Sequence, residues 1–262
     1  MKIKTILSLA VAGMALMASC SNIDENERFI KGDAITVGKK VLIEDFTGQR
    51  CVNCPKATEM IAKLHDTFGD NIVAVGIYGG PFGKSTTGKF YPLTTETGEY
   101  YNVKNNVTEQ PYGAFNRLYY LADYQQWENI VAELIAMQTV INMECENTYD
   151  EASRQLTINV RAKGLDNVEG AYLQVWLTED NIVNTQYMPD GKPNKDYVHN
   201  HVFRTSVNDR DGEPITITKD GTTEKTYTTT LDSEWKAEDM DVVAFVFTKD
   251  GVQQVVKTRV VK

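Results

Sequence analysis

The stretch "VLIEDFTGQRCVNCPK" (residues 41–56) predicts a buried strand that leads directly into a loop with two cysteines. Its first six residues are mostly apolar, as in a buried strand, and Pro55 suits the first turn of a helix. Apolar residues then recur at the helical spacing of i, i+3, i+4 and i+7, at Ala57, Met60, Ile61, Leu64 and Phe68. Cys51 and Cys54 are therefore expected at the junction of a strand and a helix.

The residues that follow predict an α/β pattern. "NIVAVGIY" (71–78) indicates a second buried strand, and a helix followed by such a strand suggests a parallel crossover. Residues 79–98 predict a long irregular segment. Residues 111–122 predict a β-hairpin whose two-residue turn, Asn116–Arg117, lacks the residues that such turns favour. The apolar spacing over residues 127–138 predicts a second helix.

The hydrophobic period changes to two from Glu144 onwards. In "QLTINVRA" (155–162), alternate apolar residues share one face, and several similar short stretches follow, separated by Asp, Gly and Asn. Short strands without helical spacing indicate an antiparallel sandwich of immunoglobulin-like type. We therefore predict an α/β domain over residues 37–143, followed by an all-β immunoglobulin-like sandwich over residues 144–262.

The N-terminal stretch "MKIKTILSLAVAGMALMASC" (1–20) predicts a secretory signal, because its apolar run is too short for a stable membrane span. Its end resembles a bacterial lipobox, which implies a signal peptide over residues 1–19 and lipidation of Cys20. Three acyl chains, at about 0.8 kcal/mol per buried methylene, would hold the protein on a membrane. Residues 20–36 are then the lipidated N-terminus and a polar spacer. The alternative is an ordinary secreted protein in which Cys20 is incidental.

The net charge of the chain and its expected export limit the classes of molecule that it can bind. The formal net charge of −9 argues against nucleic acid, because phosphates need cationic side chains. Acidic residues behind Cys20 partly resemble the signals that export lipoproteins to the cell surface, so the periplasmic and the outward-facing sides both stay open. In an exported protein, disulfides persist. No cofactor or resident metal is expected.

Cys51 and Cys54 have the spacing of a redox pair. A structural zinc site needs four ligands, and this part of the chain adds only His65, so zinc is disfavoured. Amide N–H groups at the start of a helix stabilise a thiolate, which would lower the pKa of Cys51 below about 8.5. Arg50 adds a cation. Cys54, one turn further on and better shielded, suits the thiol that resolves a mixed disulfide.

Two motifs resemble the thioredoxin superfamily: "DFTGQRCVNC" (45–54) and "VTEQPYGAF" (107–115). The resemblance covers roughly residues 37–141 and implies a thioredoxin-like fold. It further implies that the Gln110–Pro111 bond is cis and that Pro111 faces the dithiol. Asp45 would be the buried acid that relays the proton of Cys54, although a strand-end acid that only bonds to the loop is the alternative.

The motif departs from active thioredoxins at three places. Val52 and Asn53 stand between the cysteines, Arg50 replaces the expected Trp, and Tyr112 follows the proline. These differences leave the direction of electron flow open. The alternative is that the Cys51–Cys54 disulfide is inert, in a thioredoxin-like fold that no longer has redox activity.

Together, the lipobox, the dithiol loop and the sandwich, with "YVHNHVFRTSVNDRDGEPI" (197–215), resemble the "twenty-eight-kilodalton outer-membrane protein" lipoproteins of Gram-negative anaerobes. This resemblance implies a lipid-anchored protein of the outer membrane. Two functions follow as hypotheses, and whether the protein is an enzyme stays open. One is thiol–disulfide exchange with dithiols and disulfides of envelope proteins. The other is a non-catalytic binding or adhesion lipoprotein that uses the fold as a scaffold.

Three further side chains, two imidazoles and one thiol, are of types that can bind a metal or act as a nucleophile. His199 and His201 are expected on one face of a strand, where they could begin a metal site, but a surface or hydrogen-bonded pair is the preferred interpretation. Cys145 is expected to pack as a small apolar group.

Overall fold

The computed structural model describes residues 38–83 and 93–262, which fall within one compact unit, Thr36–Lys262. The predicted signal peptide, Cys20 and the spacer lie outside the described residues, as do residues 84–92.

The described ranges contain fourteen strands, four α-helices and three short 3-10 helices. The strands are β1 (Val41–Thr47), β2 (Ile72–Tyr78), β3 (Tyr112–Phe115), β4 (Tyr119–Leu121), β5 (Ile141–Asp150), β6 (Gln155–Gly164), β7 (Val168–Glu179), β8 (Ile182–Tyr187), β9 (Pro193–His199), β10 (Val202–Ser206), β11 (Glu213–Ile217), β12 (Thr222–Thr230), β13 (Met240–Thr248) and β14 (Gly251–Arg259). The helices are α1 (Cys54–Phe68), α2 (Gly80–Gly83), α3 (Glu96–Lys104) and α4 (Trp127–Ile135).

The predicted α/β elements of the N-terminal part are confirmed. β1 pairs with β2 in parallel and with β3 antiparallel, so the helix between β1 and β2 is a crossover. The apolar faces of α1 and α4 pack on one side of these strands, where Ile61 and Val131 meet Ile43 in one buried cluster. Burial of this stripe stabilises both helices, because short helices gain most of their stability from tertiary packing.

Helix α3 forms in a region where the sequence shows no helical period. The side chain of Thr95 caps it by accepting a hydrogen bond from the amide of Gly98 (2.9 Å). Tyr101 is buried, whereas Val103 is 78% exposed. The helix is therefore held by its cap and by one aromatic side chain rather than by an apolar stripe, and periodicity does not reveal it.

The turn between β3 and β4 has the two residues that the sequence predicts. Asn116 and Arg117 have φ angles of 47° and 54°, as a type I′ turn requires. Tertiary contacts compensate for the unfavourable turn residues. The side-chain oxygen of Asn116 accepts a hydrogen bond from the amide of Leu42 (2.8 Å), and its carbonyl accepts one from Val252 (2.7 Å).

The C-terminal part is mostly β and forms two layers. β12, β6 and β5 make a three-stranded sheet that packs on the larger sheet. The alternating residues predicted for β6, such as Ile158, face this interior together with Val175 of β7 and Val242 of β13. The predicted alternation of β6 is therefore confirmed.

The larger sheet runs through both parts of the chain. Its nine strands, within the described residues, follow the order β14-β13-β7-β10-β2-β1-β3-β4, with β11 also paired to β7. β10 joins β2 at Val202 and Gly76, and the amide of Gly76 donates to the carbonyl of His201 (2.8 Å). This join gives the open edge of β2 a partner. The hydrophobic period changes near residue 143, but this point is not a boundary between two sheets. Strands from both sides of it belong to the larger sheet.

Candidate functional site

The cysteine loop connects β1 to α1, and Cys51 and Cys54 form a disulfide in it. The helix begins at Cys54, with Pro55 in its first turn, so Cys51 lies just before it. The amide of Cys54 donates a hydrogen bond to the Cys51 sulfur (3.1 Å). The sulfur of Cys51 therefore faces a first-turn amide, which is the environment expected to stabilise a thiolate.

Both cysteines are buried in this oxidised form. Cys51 is 3% exposed and Cys54 is 1% exposed, whereas Val52 between them is 39% exposed. Arg50 points into solvent. The two sulfurs differ little in exposure, so the better shielding expected for Cys54 is a small effect here.

Asp45 lies on β1, on the face that α1 covers, and is 2% exposed. Its burial raises the pKa of its carboxyl from 3.8 to about 7. Glu44 points to the opposite face and forms an ion pair with Arg117 (3.0 Å). Asp45 is thus the carboxyl group of β1 that can accept a proton near neutral pH on the α1 side.

Pro111 lies at the same end of the sheet as the cysteine loop. The Gln110–Pro111 bond is cis, as the thioredoxin resemblance implies, and Pro111 comes directly before β3. Tyr112 pairs with Phe46 near the end of β1. The Gln110 side chain donates to the carbonyls of Thr47 and Gly79, both at 2.9 Å, which fixes this segment beside the strand ends.

A hairpin of β8 and β9, which the sequence pattern does not predict, packs on the cysteine loop. The Gln186 side chain donates to the carbonyls of Cys51 (3.0 Å) and Gly48 (3.3 Å). The Tyr187 amide donates to the carbonyl of Gln49 (2.8 Å), and the Gln49 side chain donates to a carbonyl of β8 in return. The turn residues "DG" (190–191) are a local hairpin signal, but they carry no information on what the hairpin contacts.

The hairpin also brings the His199 imidazole and the Tyr197 ring next to Tyr78 of β2. His199, at the end of β9, is 1% exposed and its Nδ1 lies 2.7 Å from the hydroxyl of Tyr78. Tyr197 stacks edge-on against His199, with ring centroids 4.8 Å apart. Sequence patterns point to His199 and His201 but not to these tyrosines, because Tyr78 only ends a predicted buried strand and Tyr197 only opens the stretch 197–215.

The two histidines do not share a strand face. His199 ends β9, whereas His201 lies in the short link to β10 with a φ of 45°. His199 is hydrogen-bonded, in agreement with the preferred sequence interpretation. Burial lowers the pKa of both rings to about 4, so both are neutral at physiological pH. Among the residues described, no three His, Cys, Asp or Glu side chains are grouped as a metal site.

Cys145, on β5, packs against the core between the two layers of the sandwich. Burial raises the pKa of its thiol to about 12. The position agrees with the expected apolar role, and the raised pKa keeps the thiol protonated at neutral pH.

A comparison with protein families matches residues 98–262 to "Outer membrane protein Omp28", which is well over half of the chain. The chain belongs to the Omp28 family. The family match confirms the predicted outer-membrane location, and a lipid-anchored attachment fits it. In the part of the chain that the structure describes, no helix has the length and apolar character to cross a membrane.

The Omp28 match begins after the cysteine loop. It includes Pro111 and the β8–β9 hairpin, whereas Asp45, Cys51 and Cys54 precede it. The family match therefore supports the location of the protein at the outer membrane. It gives no information on the role of Cys51 and Cys54, which is argued from the structure.

Two solved structures, with TM-scores above 0.5, show the same fold at low sequence identity. "HBP35 of Porphyromonas gingivalis" has a TM-score of 0.67 at 16% identity, covering 86% of this chain and 76% of that one. Protein AGR_C_4864 from Agrobacterium tumefaciens has a TM-score of 0.53 at 15% identity, covering 84% and 94%. A domain of the Omp28 lipoprotein from Porphyromonas gingivalis is 23% identical, with a TM-score of 0.35, and covers 47% of this chain and 89% of that one. No curated protein sequence matches the chain.

The hairpin contacts predict how fast the disulfide of this Omp28-family protein reacts. We expect Gln186→Leu to accelerate reduction by a water-soluble phosphine up to about thirtyfold, because two hydrogen bonds to the loop, each contributing roughly 1 kcal/mol, are lost. The rate is measured by alkylating and counting the released thiols over time. Lys195→Ala, an exposed change on the same hairpin, is the control and should leave the rate unchanged. Equal rates for Gln186→Leu and wild type would show that the hairpin does not restrict access.

Proposed function

We propose that this protein exchanges thiols and disulfides with other envelope proteins through Cys51 and Cys54. In this proposal, the N-terminal elements form a thioredoxin-like site and the remaining strands form an immunoglobulin-like sandwich that supports it. The observation that carries the proposal is the hydrogen bond from the Cys54 amide to the Cys51 sulfur at the start of α1 (3.1 Å). A donor in this position favours the thiolate, which is the reactive form in exchange.

The reaction begins with the reduced pair. The Cys51 thiolate attacks one sulfur of a substrate disulfide, which forms a mixed disulfide and releases the other substrate sulfur as a thiolate. Cys54 then loses its proton, and its sulfur attacks that of Cys51. The Cys51–Cys54 disulfide forms again, and the second substrate sulfur leaves as a thiolate. The substrate gains two electrons and the cysteine pair loses two; the reverse sequence oxidises a substrate dithiol.

Asp45 is the proposed acceptor of the Cys54 proton. A carboxyl with a pKa of about 7 is half ionised at neutral pH, so it can take up a proton and release it again in each cycle. Pro111, which comes just before β3 at the end of β1, would position the substrate chain beside the cysteines.

A second function is favoured by the burial of the disulfide. With Cys51 3% exposed and the β8–β9 hairpin bonded to the loop, the disulfide also suits a structural role. The protein would then be a non-catalytic binding or adhesion lipoprotein of the outer membrane. For exchange to occur, the hairpin must first expose the Cys51 sulfur to the substrate.

Reduction of insulin by dithiothreitol separates the two functions. In a Cys145→Ala background, we expect the wild-type pair to accelerate insulin precipitation and Cys51→Ser to fall to the rate of dithiothreitol alone. Cys54→Ser should instead trap mixed disulfides with envelope proteins, visible on non-reducing gels, since the resolving thiol is missing. Equal insulin rates for the wild-type pair and Cys51→Ser would favour the scaffold function.

A further inference from the structure

The β8–β9 hairpin is a separate two-stranded sheet, joined to the larger sheet by two short links. The links are residues 180–181 and 200–201, and each contains one residue with a left-handed backbone, Asn181 (φ 58°) and His201 (φ 45°). Such residues turn the chain sharply. The links are therefore the two points at which the hairpin bends away from the larger sheet.

The links are fixed to the larger sheet and to each other. The amide of Asp180 donates a hydrogen bond to the carbonyl of Asp239 (2.8 Å), and the amide of Gly76 donates to the carbonyl of His201 (2.8 Å). The amide of His201 in turn donates to the Asp180 carboxylate (2.6 Å). The hairpin beyond the links thus has a fixed base about which it can turn.

The contacts that hold the hairpin against the rest of the protein are mostly polar. They are the bonds to the cysteine loop described above, the contact of Tyr78 with His199 (2.7 Å) and the bond of Tyr197 with Thr58. Ile182, next to a link, is the hairpin residue that packs in a buried apolar cluster of the described residues. Polar groups exchange protein partners for water when they separate, so such contacts open more easily than an apolar core.

The outer face of the hairpin is uncovered by the described residues. Val183 and Val198 lie opposite each other on the two strands and are 62% and 44% exposed. An open cleft of about 450 Å³ lies between the start of β8 and the side chains of Glu179 and Arg204. Among the described elements, β8 and β9 pack broadly only on each other. The hairpin can therefore move outward without displacing another strand or helix.

We propose that the β8–β9 hairpin is a flap that turns as one unit about its two links and so uncovers the cysteine loop. In the closed form, the Gln186 side chain is 2% exposed and bonds to the carbonyls of Cys51 and Gly48, so β8 lies directly on the loop. Opening breaks these contacts and leaves the pairing of β8 with β9 intact, as in a hinge motion. The role of the flap in admitting a substrate disulfide rests on the proposed function, whereas the motion itself does not.

Amide hydrogen exchange, followed by NMR in the oxidised full chain in detergent, tests the flap. The Tyr187 amide bonds to the Gln49 carbonyl across the flap contact, the ladder amides bond within the hairpin, and the Gly76 amide bonds to a link. Opening as one unit breaks only the first kind of bond. We therefore expect the Tyr187 amide to exchange about tenfold or more faster than the other two kinds, after correction for intrinsic rates.

Variants connect this motion to the reactivity of the disulfide. Gln186→Leu should accelerate exchange of the Tyr187 amide by the same factor as it accelerates reduction by the phosphine, up to about thirtyfold, because both need the open flap. Tyr78→Phe removes the hydroxyl beside His199 and should also accelerate both processes equally. Lys195→Ala, the exposed control on the hairpin, should change neither rate.

Three outcomes would overturn the proposal. Exchange of the Tyr187 amide as slow as that of Gly76 would mean that the hairpin opens only when the whole fold does. Equal exchange of the Tyr187 and ladder amides would mean that the hairpin unfolds instead of turning. Faster reduction of Gln186→Leu with unchanged Tyr187 exchange would mean that the loop moves and the flap does not. If the variants do not fold, the exchange pattern of the wild type decides alone.

The flap and the proposed function fail separately. Hydrogen exchange needs no substrate, so a protein that is inactive in the insulin assay but shows fast exchange at Tyr187 alone would have the flap without the exchange activity. An active protein with slow Tyr187 exchange would retain the proposed function and lose the flap.

Discussion

Arg117→Met is expected to lower the free energy of unfolding by about 3–5 kcal/mol, because it leaves a buried carboxylate without its partner. Arg117 donates from Nε and Nη2 to both carboxylate oxygens of Glu44, at 3.0 to 3.3 Å, and the Glu44 side chain is 1% exposed. Burial alone lowers the pKa of Arg117, but the charge of Glu44 outweighs it and the net shift is upward. The pair is therefore charged in the folded protein.

The same guanidinium group connects distant parts of the sheet. Its Cζ lies 4.7 Å from the ring centre of Phe247, 5.0 Å from that of Phe245 and 5.6 Å from that of Trp176. These rings belong to β13 and β7, whereas Glu44 belongs to β1. Arg117 thus packs between the N-terminal strands and the sandwich, where cation–π contacts add to the ion pair.

Urea denaturation measures this effect. Arg161→Met is the matched control, because Arg161 also pairs with a glutamate but its side chain is 57% exposed, so we expect a loss under about 1 kcal/mol. The double variant Glu44→Leu/Arg117→Met should recover most of the loss, since no unpaired charge remains. A single Arg117→Met variant as stable as wild type would contradict a charged, buried pair.

Asp45→Asn is expected to stabilise the protein above pH 7 by up to about 4 kcal/mol relative to its effect below pH 4. The carboxyl has a pKa of 3.8 in the unfolded chain and about 7 in the folded one. Below pH 4 both states hold the proton, so the group does not affect stability. Between pH 4 and 7 the unfolded chain loses it first, which destabilises the fold. Above pH 7 the cost is complete, at about 1.36 kcal/mol for each pH unit that separates the two pKa values.

The measurement is the difference in unfolding free energy between wild type and Asp45→Asn, followed from pH 3 to pH 9. Other acids titrate in both proteins and cancel in the difference. Asp66→Asn, an exposed change on α1, is the control variant. A flat curve for Asp45→Asn would mean that Asp45 is ionised or solvated in the folded state, and its proposed role as proton acceptor would lose its support.

Local sequence patterns predicted the elements that build the site. The apolar run of β1, the helical spacing of α1 and the alternation in β6 each depend on which side of one element is buried, and such information lies within ten residues or so. Helix α3 was not predicted from the sequence, because a capped first turn and one buried tyrosine do not produce a helical repeat of apolar residues. The hairpin of β8 and β9 was not predicted, because β8 is mostly half-buried, β9 is largely exposed, and neither strand has a repeating apolar face.

The sequence by itself determined the order of elements, the spacing of Cys51 and Cys54 before a helix, and the position of Asp45 on the preceding strand. Only the tertiary structure decided what surrounds them. The bond from Gln186 to the Cys51 carbonyl spans 135 residues, and that from Tyr78 to His199 spans 121. Such contacts arise because the fold packs the separate β8–β9 hairpin against the cysteine loop and β2. Each of these side chains looks ordinary in its own stretch of sequence, so no local pattern predicts the contacts.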